Sequence, residues 1–332
     1  MKPTALCLIA PDLLASLFAP SDWARLEDSL RFVAPPCPPS SFVTLPTPLE
    51  EVEVLIGSWG LPTLDRALLE RMPALRMLFY AAGSVRDKVT SESWQRPVRV
   101  VTAAAANAGP VAEFVVAQIV LSLKQAWPAA GQVRSAQRFV HPDLPPAGLF
   151  RSTVALLGLG HIGRLVAERL RHLSVEVLAY DPVVAPATAA EHGVRLVGLD
   201  EAITGADVIS CHLPLLPATT RLIRGSHFAA MKPGAVFINT ARGAVVHEAE
   251  MFTVLQSRPD LVALLDVIED ERPGATSPLF ALPNVWVTPH LAGSIGRERQ
   301  LLGQLVADEA ERYATGRPLR HELTAEAFAT SA

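Results

Sequence analysis

Thr153-Val-Ala-Leu-Leu-Gly158-Leu-Gly160-His161-Ile162-Gly163-Arg-Leu-Val-Ala167 places three glycines, spaced Gly-x-Gly-x-x-Gly, directly after an apolar strand and at the head of an amphipathic helix. Each glycine has a separate physical task. Gly158 permits a tight turn, Gly160 lets the backbone come close to a diphosphate, and Gly163 lets the helix pack hard against the strand, while the helix N-terminus faces the phosphate charge. A bare glycine triplet is common in loops, so the flanking strand and helix are what make this a dinucleotide site. His161 and Ile162 complete its first helical turn. The next strand ends in Leu178-Ala-Tyr-Asp181-Pro182. An acidic side chain about 20 residues past the fingerprint accepts hydrogen bonds from the adenine ribose and repels a 2′-phosphate. No Arg or Lys occurs between Asp181 and Glu191, which favours NAD over NADP. The alternative is that Asp181 only opens a turn before Pro182.

Outward from this motif the chain alternates apolar runs with helical stretches. Downstream, Glu176 to Tyr180, Val194 to Val197, Asp207 to Cys211, Ala235 to Asn239, Leu261 to Asp266 and Val285 to Val287 suit a doubly wound parallel sheet. Upstream, Ala5 to Ala10, Val52 to Ile56, Leu75 to Tyr80 and Val98 to Thr102 read as buried parallel strands of a smaller α/β unit. Helices are expected at Asp12 to Ala19, Asp22 to Leu30 and Leu64 to Met72. The segment Ala34 to Pro48 holds Pro35, Pro36, Pro38, Pro39, Pro46 and Pro48, so it reads as a loop with one short edge strand at Phe42 to Leu45. A connecting helix is expected from Pro110 to Ala126, with proline at its start and Pro128 beyond its end. A second loop, His141 to Gly148, carries Pro142, Pro145 and Pro146. A last helix, Ile295 to Thr315, is followed by a polar tail.

Composition narrows the class. At 332 residues two domains are expected, and 50% hydrophobic against 19% charged residues supports folded cores. A formal net charge of −4 offers no basic field for nucleic acid or an anionic membrane. The most apolar stretch, Val111 to Leu123, is interrupted by Glu113 and Gln118 and reads as a buried helix rather than a bilayer span. The first apolar run stops at Pro11 and Asp12, too soon for a secretory signal, so a cytoplasmic location is expected. Cys7, Cys37 and Cys211 show no Cys-x-x-Cys spacing, and neither a disulfide framework nor a metal site is expected.

Three further motifs follow strands of the same sheet: Asn239-Thr240-Ala241-Arg242-Gly243, Asp266-Val-Ile-Glu269-Asp270-Glu271 and Thr288-Pro289-His290-Leu-Ala-Gly293-Ser294. They put one guanidinium, carboxylates and one imidazole on neighbouring loops, where open α/β sheets collect ligands. That set suits reduction of a 2-oxo acid. A guanidinium can hold a carboxylate with two bonds and polarise the ketone, and an imidazolium can donate the completing proton. A carboxylate beside the histidine would fix the ring and favour its charged form. Taken singly, each has a plain reading: Arg242 as a surface cation, Glu271 as a solvated loop acid, His290 as a capped or core histidine.

Through Gly158 to Gly163, His212-Leu-Pro214-Leu, Asn239 to Gly243, Asp266 to Glu271 and Pro289 to Ser294, the sequence resembles the D-isomer-specific 2-hydroxyacid dehydrogenase family over most of its length. The resemblance implies a Rossmann-type doubly wound parallel sheet inserted into a smaller flavodoxin-like α/β substrate domain. The implied boundaries are 1–106 with 293–332 for the substrate domain and 107–292 for the dinucleotide domain. It implies Arg242, Glu271 and His290 as the catalytic set, with Glu271 chosen over Glu269 by its distance from Asp266. Asp266 would meet the nicotinamide carboxamide, and His212, Pro214, Thr240 and Gly293 would line the cofactor cleft. Trp59 would wall the substrate pocket, with a core or interdomain tryptophan as a nearly equal alternative, and backbone amides at Ser84 and Val85 would hold the substrate carboxylate beside Arg242 and His290. The loop Ala81 to Asp87 keeps one glycine where relatives have more, Arg86 is read equally as an anion contact or a solvated cation, and Phe114 stands where a histidine is usual. A small 2-oxo or 2-hydroxy acid and a homodimer are the implied partners. Alternatives are an NAD(H)-sensing corepressor-like binding protein and a formate- or phosphite-type dehydrogenase, the formate type being opposed by Glu271.

Overall fold

A computed structural model of the chain describes residues 1–45, 49–141, 147–272 and 277–330. Pro46, Pro48, Pro142, Pro145 and Pro146 lie outside these residues. In chain order the strands are β1 (Thr4–Leu8), β2 (Arg31–Phe32), β3 (Val54–Gly57), β4 (Met77–Tyr80), β5 (Arg99–Thr102), β6 (Ser152–Leu157), β7 (Val175–Tyr180), β8 (Arg195–Leu196), β9 (Val208–Cys211), β10 (Val236–Asn239), β11 (Val262–Leu265), β12 (Val285–Val287) and β13 (Glu322–Leu323). The chain divides into two compact units: Met1–Asn107 with Ser294–Ala332, and Ala108–Gly293.

The first unit is built on a sheet of order β13-β5-β4-β3-β1-β2, parallel except for β13 on β5. Its parallel part has the flavodoxin order. Strands β1, β3 and β4 are buried throughout, which is why they read as continuous apolar runs. Alternate side chains feed two cores: Ala5, Cys7 and Ile9 meet Leu17, Leu26, Leu302 and Val306, while Leu6 and Leu8 meet Leu68, Leu69 and Val85.

The second unit is a seven-stranded parallel sheet of order β12-β11-β10-β9-β6-β7-β8. Counted from β6 this is the Rossmann order, and its direction reverses between β6 and β9, the switch point at which such sheets bind ligands. Two apolar clusters cover its faces, one with Phe228, Phe237 and Met251, the other with Val111, Val115, Ile119 and Val166.

Four expectations change. Phe42 to Leu45 is not a strand: Pro39–Thr44 forms a 3-10 helix that buries Phe42 under the Arg71 guanidinium, 4.4 Å from the ring centroid. Two prolines that set φ and lack N–H groups favour a turn over a ladder there. The connecting helix runs over Ala104–Leu123, so Pro110 sits inside it rather than at its start. Its mean hydropathy of 1.5 over 20 residues would suit a membrane span by length and composition alone, but Val111, Ala112, Val115 and Ile119 are packed into the sheet's core. Pro128 lies in the first turn of a separate helix, Ala126–Ala136. The polar tail contains β13 and a helix at Ala325–Thr330. It is tied down by Glu322, which accepts two bonds from Arg99 at 2.8 and 2.6 Å, and by Phe328 against Trp94 at 5.3 Å.

Candidate active site

At the switch point of the second unit, Gly158 has φ +101°, and a Cβ there would lie 2.9 Å from the backbone of His212. The β6 and β9 loops therefore touch through a position that no side chain can occupy. A Cβ on Gly163 would fall 2.2 Å from the Gly158 carbonyl oxygen. Gly160 differs: nothing lies within 4 Å of where its Cβ would be. It is the N-cap of the helix His161–Leu170 and, having no side chain, leaves the first helical N–H groups uncapped. An unfilled cradle at an uncapped helix N-terminus fits a diphosphate. His161 is exposed, while Ile162 packs partly against the core.

Asp181 does more than open a turn. One carboxylate oxygen accepts from Leu159 N in the glycine loop at 2.8 Å, and the other accepts from Val183 N at 2.9 Å and Val184 N at 3.1 Å. Three of roughly four lone-pair sites are filled, which leaves room for a ribose hydroxyl. His212 bonds Ser210 Oγ through Nε2 at 3.0 Å, and burial pushes its pKa from 6.5 down to about 4, so the ring is neutral. The Pro214 carbonyl accepts from Thr219 Oγ1 at 2.5 Å, which closes the β9 loop.

On the other side of the sheet, β10, β11 and β12 are adjacent and in register through Asn239, Leu265 and Val287. Buried Asn239 folds the loop after β10, with Nδ2 donating to Arg242 O at 3.1 Å and Oδ1 accepting from Ala241 N at 3.0 Å. Arg242 turns one guanidinium N–H to Ala241 O at 2.6 Å. A Cβ on Gly243 would lie 2.0 Å from the Ile268 carbonyl carbon, so this glycine is what lets the Arg242 loop meet the loop after β11.

Asp266, 4% exposed, organises the histidine loop. Its carboxylate accepts from Thr288 Oγ1 at 2.5 Å, Leu291 N at 2.9 Å and Ala292 N at 2.9 Å, and its carbonyl accepts from His290 N at 3.0 Å. These bonds hold His290 at φ +52°, a left-handed conformation that costs a non-glycine residue on the order of 1 kcal/mol or more. From that position His290 Nδ1 meets Glu271 Oε1 at 2.7 Å, with both side chains about half exposed. Glu269 is instead paired with Arg221 at 2.6 Å. The roles of Asn239, Gly243 and Asp266 in shaping these loops were not read from the sequence. Each depends on contacts whose partners lie on other strands, apart from the short Asn239 turn, which an Asx pattern would have flagged.

Thr240 Oγ1 is buried without a partner. With Phe114, Gln118, Trp127, Asp266 and Thr288 it lines a cavity of about 190 Å³. Phe114 therefore supplies an apolar wall of this cavity. Gly293 ends this unit.

In the first unit, Trp59 is 45% exposed at the end of β3, and Ser58 Oγ donates to Ala81 O at 2.9 Å, pinning the Trp59 loop to the loop after β4. Val85 is buried, and Ser84 Oγ accepts from Arg86 N at 3.3 Å. The Arg86 guanidinium donates to Phe328 O and lies 4.8 Å from that ring's centroid, so it is turned to the C-terminal helix. Asn107 Oδ1 accepts from Ser294 N at 2.8 Å.

The sequence model described as D-isomer specific 2-hydroxyacid dehydrogenase, NAD binding domain, matches residues 116–292. The chain is 34% identical over 306 residues to a D-3-phosphoglycerate dehydrogenase of Mycobacterium bovis, covering 92% of this chain and 57% of that protein. It thus spans little more than half the length of such relatives. It is 32% identical over 255 residues to an (S)-sulfolactate dehydrogenase of Chromohalobacter salexigens, covering 75% of this chain and 81% of that protein. In fold it is similar to the NAD-complexed D-isomer specific 2-hydroxyacid dehydrogenase of Lactobacillus delbrueckii, with a TM-score of 0.78, 22% identity and coverage of 97% and 99%.

Proposed function

The chain belongs to the D-isomer-specific 2-hydroxyacid dehydrogenase family, with its NAD-binding domain over residues 116–292, and from that premise we propose that it interconverts a small 2-oxo acid and its D-2-hydroxy acid. The observation that carries this reading is the 2.7 Å pair of His290 with Glu271 on a loop next to that of Arg242. NAD, when bound at Gly158, Gly160, Gly163 and Asp181, supplies or accepts the hydride.

Glu271 accepts a hydrogen bond from His290 Nδ1–H, which fixes the ring, stabilises its charged form and leaves Nε2 as the nitrogen that gives a proton to the carbonyl oxygen on reduction and takes it back on oxidation. Arg242 binds the substrate carboxylate and polarises the carbonyl; its loop is preset by Asn239, so little ordering remains to be done on binding. Asp266 acts through His290 by holding the loop in its left-handed turn. In the first unit, Ser84 and Val85 amides and Trp59 are the proposed substrate contacts. A homodimer through the NAD-binding unit completes the reading. Its helix Ala126–Ala136 has no buried residue, and Phe139 and Phe150 stand 81% and 73% exposed, apolar rings of the kind that subunit contacts cover.

Steady-state oxidation of NADH with a panel of 2-oxo acids tests the activity. His290→Ala and Arg242→Ala are each expected to lower kcat/KM by about 10² to 10⁴. Near-parental rates in both variants would refute these assignments, and tight NADH binding with no acid reduced would refute the activity.

A further inference from the structure

The first unit carries a cation on an aromatic ring that none of the roles above uses. Arg299 opens the helix Arg299–Ala314, with its guanidinium carbon 5.7 Å from the centroid of the exposed Trp59 ring. Its Nε is buried without a hydrogen-bond partner, and among the described residues no carboxylate pairs with it. Helix stability does not select a cation at this end, because the N-terminal dipole is itself positive. The neighbouring carboxylate is committed elsewhere, with Glu298 Oε2 accepting from Ile295 N at 3.1 Å.

The surroundings place this cation beside the loop proposed to hold the substrate. Ser58 ties the Trp59 loop to Ala81, as described above. Two residues further along the same loop, a Cβ on Gly83 would lie 3.7 Å from Asn107 Nδ2. Asn107 in turn binds the backbone of Ser294, five residues before Arg299, and Ser294 Oγ is buried without a partner although the residue is only 6% exposed. Trp59, the loop Ala81 to Val85, Asn107, Ser294 and Arg299 thus form one continuous patch at the carboxyl ends of β3 and β4.

We propose that Arg299, resting on Trp59, binds a second anionic group of the substrate, so that the preferred 2-oxo acids carry a carboxylate, sulfonate or phosphate on C3 in addition to the C1 carboxylate. This rests on the 2-oxo acid reading above and deepens it. A guanidinium partly desolvated by a ring, with N–H groups left over, gains most from an anion that can take two of its bonds. The competing role, in which the arginine stem merely covers the indole, predicts no dependence on substrate charge.

The test compares kcat/KM with NADH for pyruvate and for its C3-carboxylate, C3-sulfonate and C3-phosphate counterparts: oxaloacetate, 3-sulfopyruvate and 3-phosphohydroxypyruvate. The parent is expected to favour at least one of the three. Arg299→Met keeps the apolar stem and is expected to lower the ratio of C3-anionic to pyruvate kcat/KM by about 10- to 100-fold, mainly through KM. Arg299→Lys should recover part of the ratio, and Arg297→Ala, on the exposed turn before the helix, should leave it unchanged. A parent with no preference for a C3 anion, or an Arg299→Met variant that loses equally on both classes, overturns the assignment of Arg299 while leaving the activity standing. A folded parent that binds NADH and reduces none of the four overturns the activity and this inference together.

Discussion

Substituting alanine at Gly160 and at Gly163 separates cofactor binding from folding within a single motif. Real Cβ contacts do not fall below 3.0 Å, so a Cβ on Gly163 at 2.2 Å from the Gly158 oxygen forces the helix and loop apart by at least 0.8 Å. Overpacking of this kind costs about 1–3 kcal/mol. At about 2–4 °C per kcal/mol for a unit of this size, Gly163→Ala should lower the apo Tm by about 2–12 °C. Gly160 has φ −71° and ψ −160°, close to extended, and no atom within 4 Å of the added Cβ. Alanine is a poorer N-cap than glycine by up to about 1 kcal/mol, but it also lowers the entropy of the unfolded chain by about 0.4–1 kcal/mol, and the two effects nearly cancel. Gly160→Ala should therefore leave the apo Tm within about 2 °C of the parent. Its methyl group would stand where the diphosphate approaches. Losing one charge-assisted bond to backbone N–H costs about 1.5–3 kcal/mol, which is about 10- to 150-fold in the Kd for NADH. Calorimetric titration with NADH and thermal unfolding of the apo protein give both numbers on the same samples. Gly160→Ala binding NADH within twofold of the parent, or unfolding as early as Gly163→Ala, would refute the cradle.

His212 gives the fold an acid sensitivity of known sign. Because its pKa falls from 6.5 to about 4 on folding, the unfolded chain binds the proton first; its contribution is intact above about pH 6.5 and is lost as pH falls toward 4. Near pH 5 the loss is on the order of 2 kcal/mol, read as the difference in urea-unfolding stability between parent and His212→Gln, and parallel pH profiles for the two would contradict it. For the proposed dimer, light scattering should return twice the 35.6 kDa chain mass, and a monomer at micromolar concentration would rule it out.

Much of this architecture was legible because its strands are buried on both faces. Val54–Gly57 and Met77–Tyr80 have no polar side to obscure them, and the glycine fingerprint marks the switch point directly. What the sequence concealed depends on distant partners. The Pro110 signal for a helix start was outweighed by Ala104 to Asn107, whose first bond runs from Asn107 N to Ala103 O at 3.0 Å. The tail looked polar because Glu322 and Phe328 are isolated in it, and their partners Arg99 and Trp94 lie more than two hundred residues earlier. In the site, the spacing of Asp266 and Glu271 led to the carboxylate that meets His290. No spacing indicated that Asp266 would turn its oxygens to Thr288, Leu291 and Ala292, because that depends on β11 and β12 lying side by side.

The bond from Ser294 N to Asn107 Oδ1 joins the last residue before the chain leaves the first unit to the first residue after it returns. An excursion of 186 residues, 108 to 293, thus begins and ends at neighbouring points. In the chain order of the first unit, the NAD-binding unit is a cassette spliced in at a single position. Exchange of that cassette leaves the order of the six-stranded sheet untouched, but Arg242, Glu271 and His290 travel with the glycine fingerprint, so cofactor and proposed catalytic set change together while the loops after β3 and β4 stay behind.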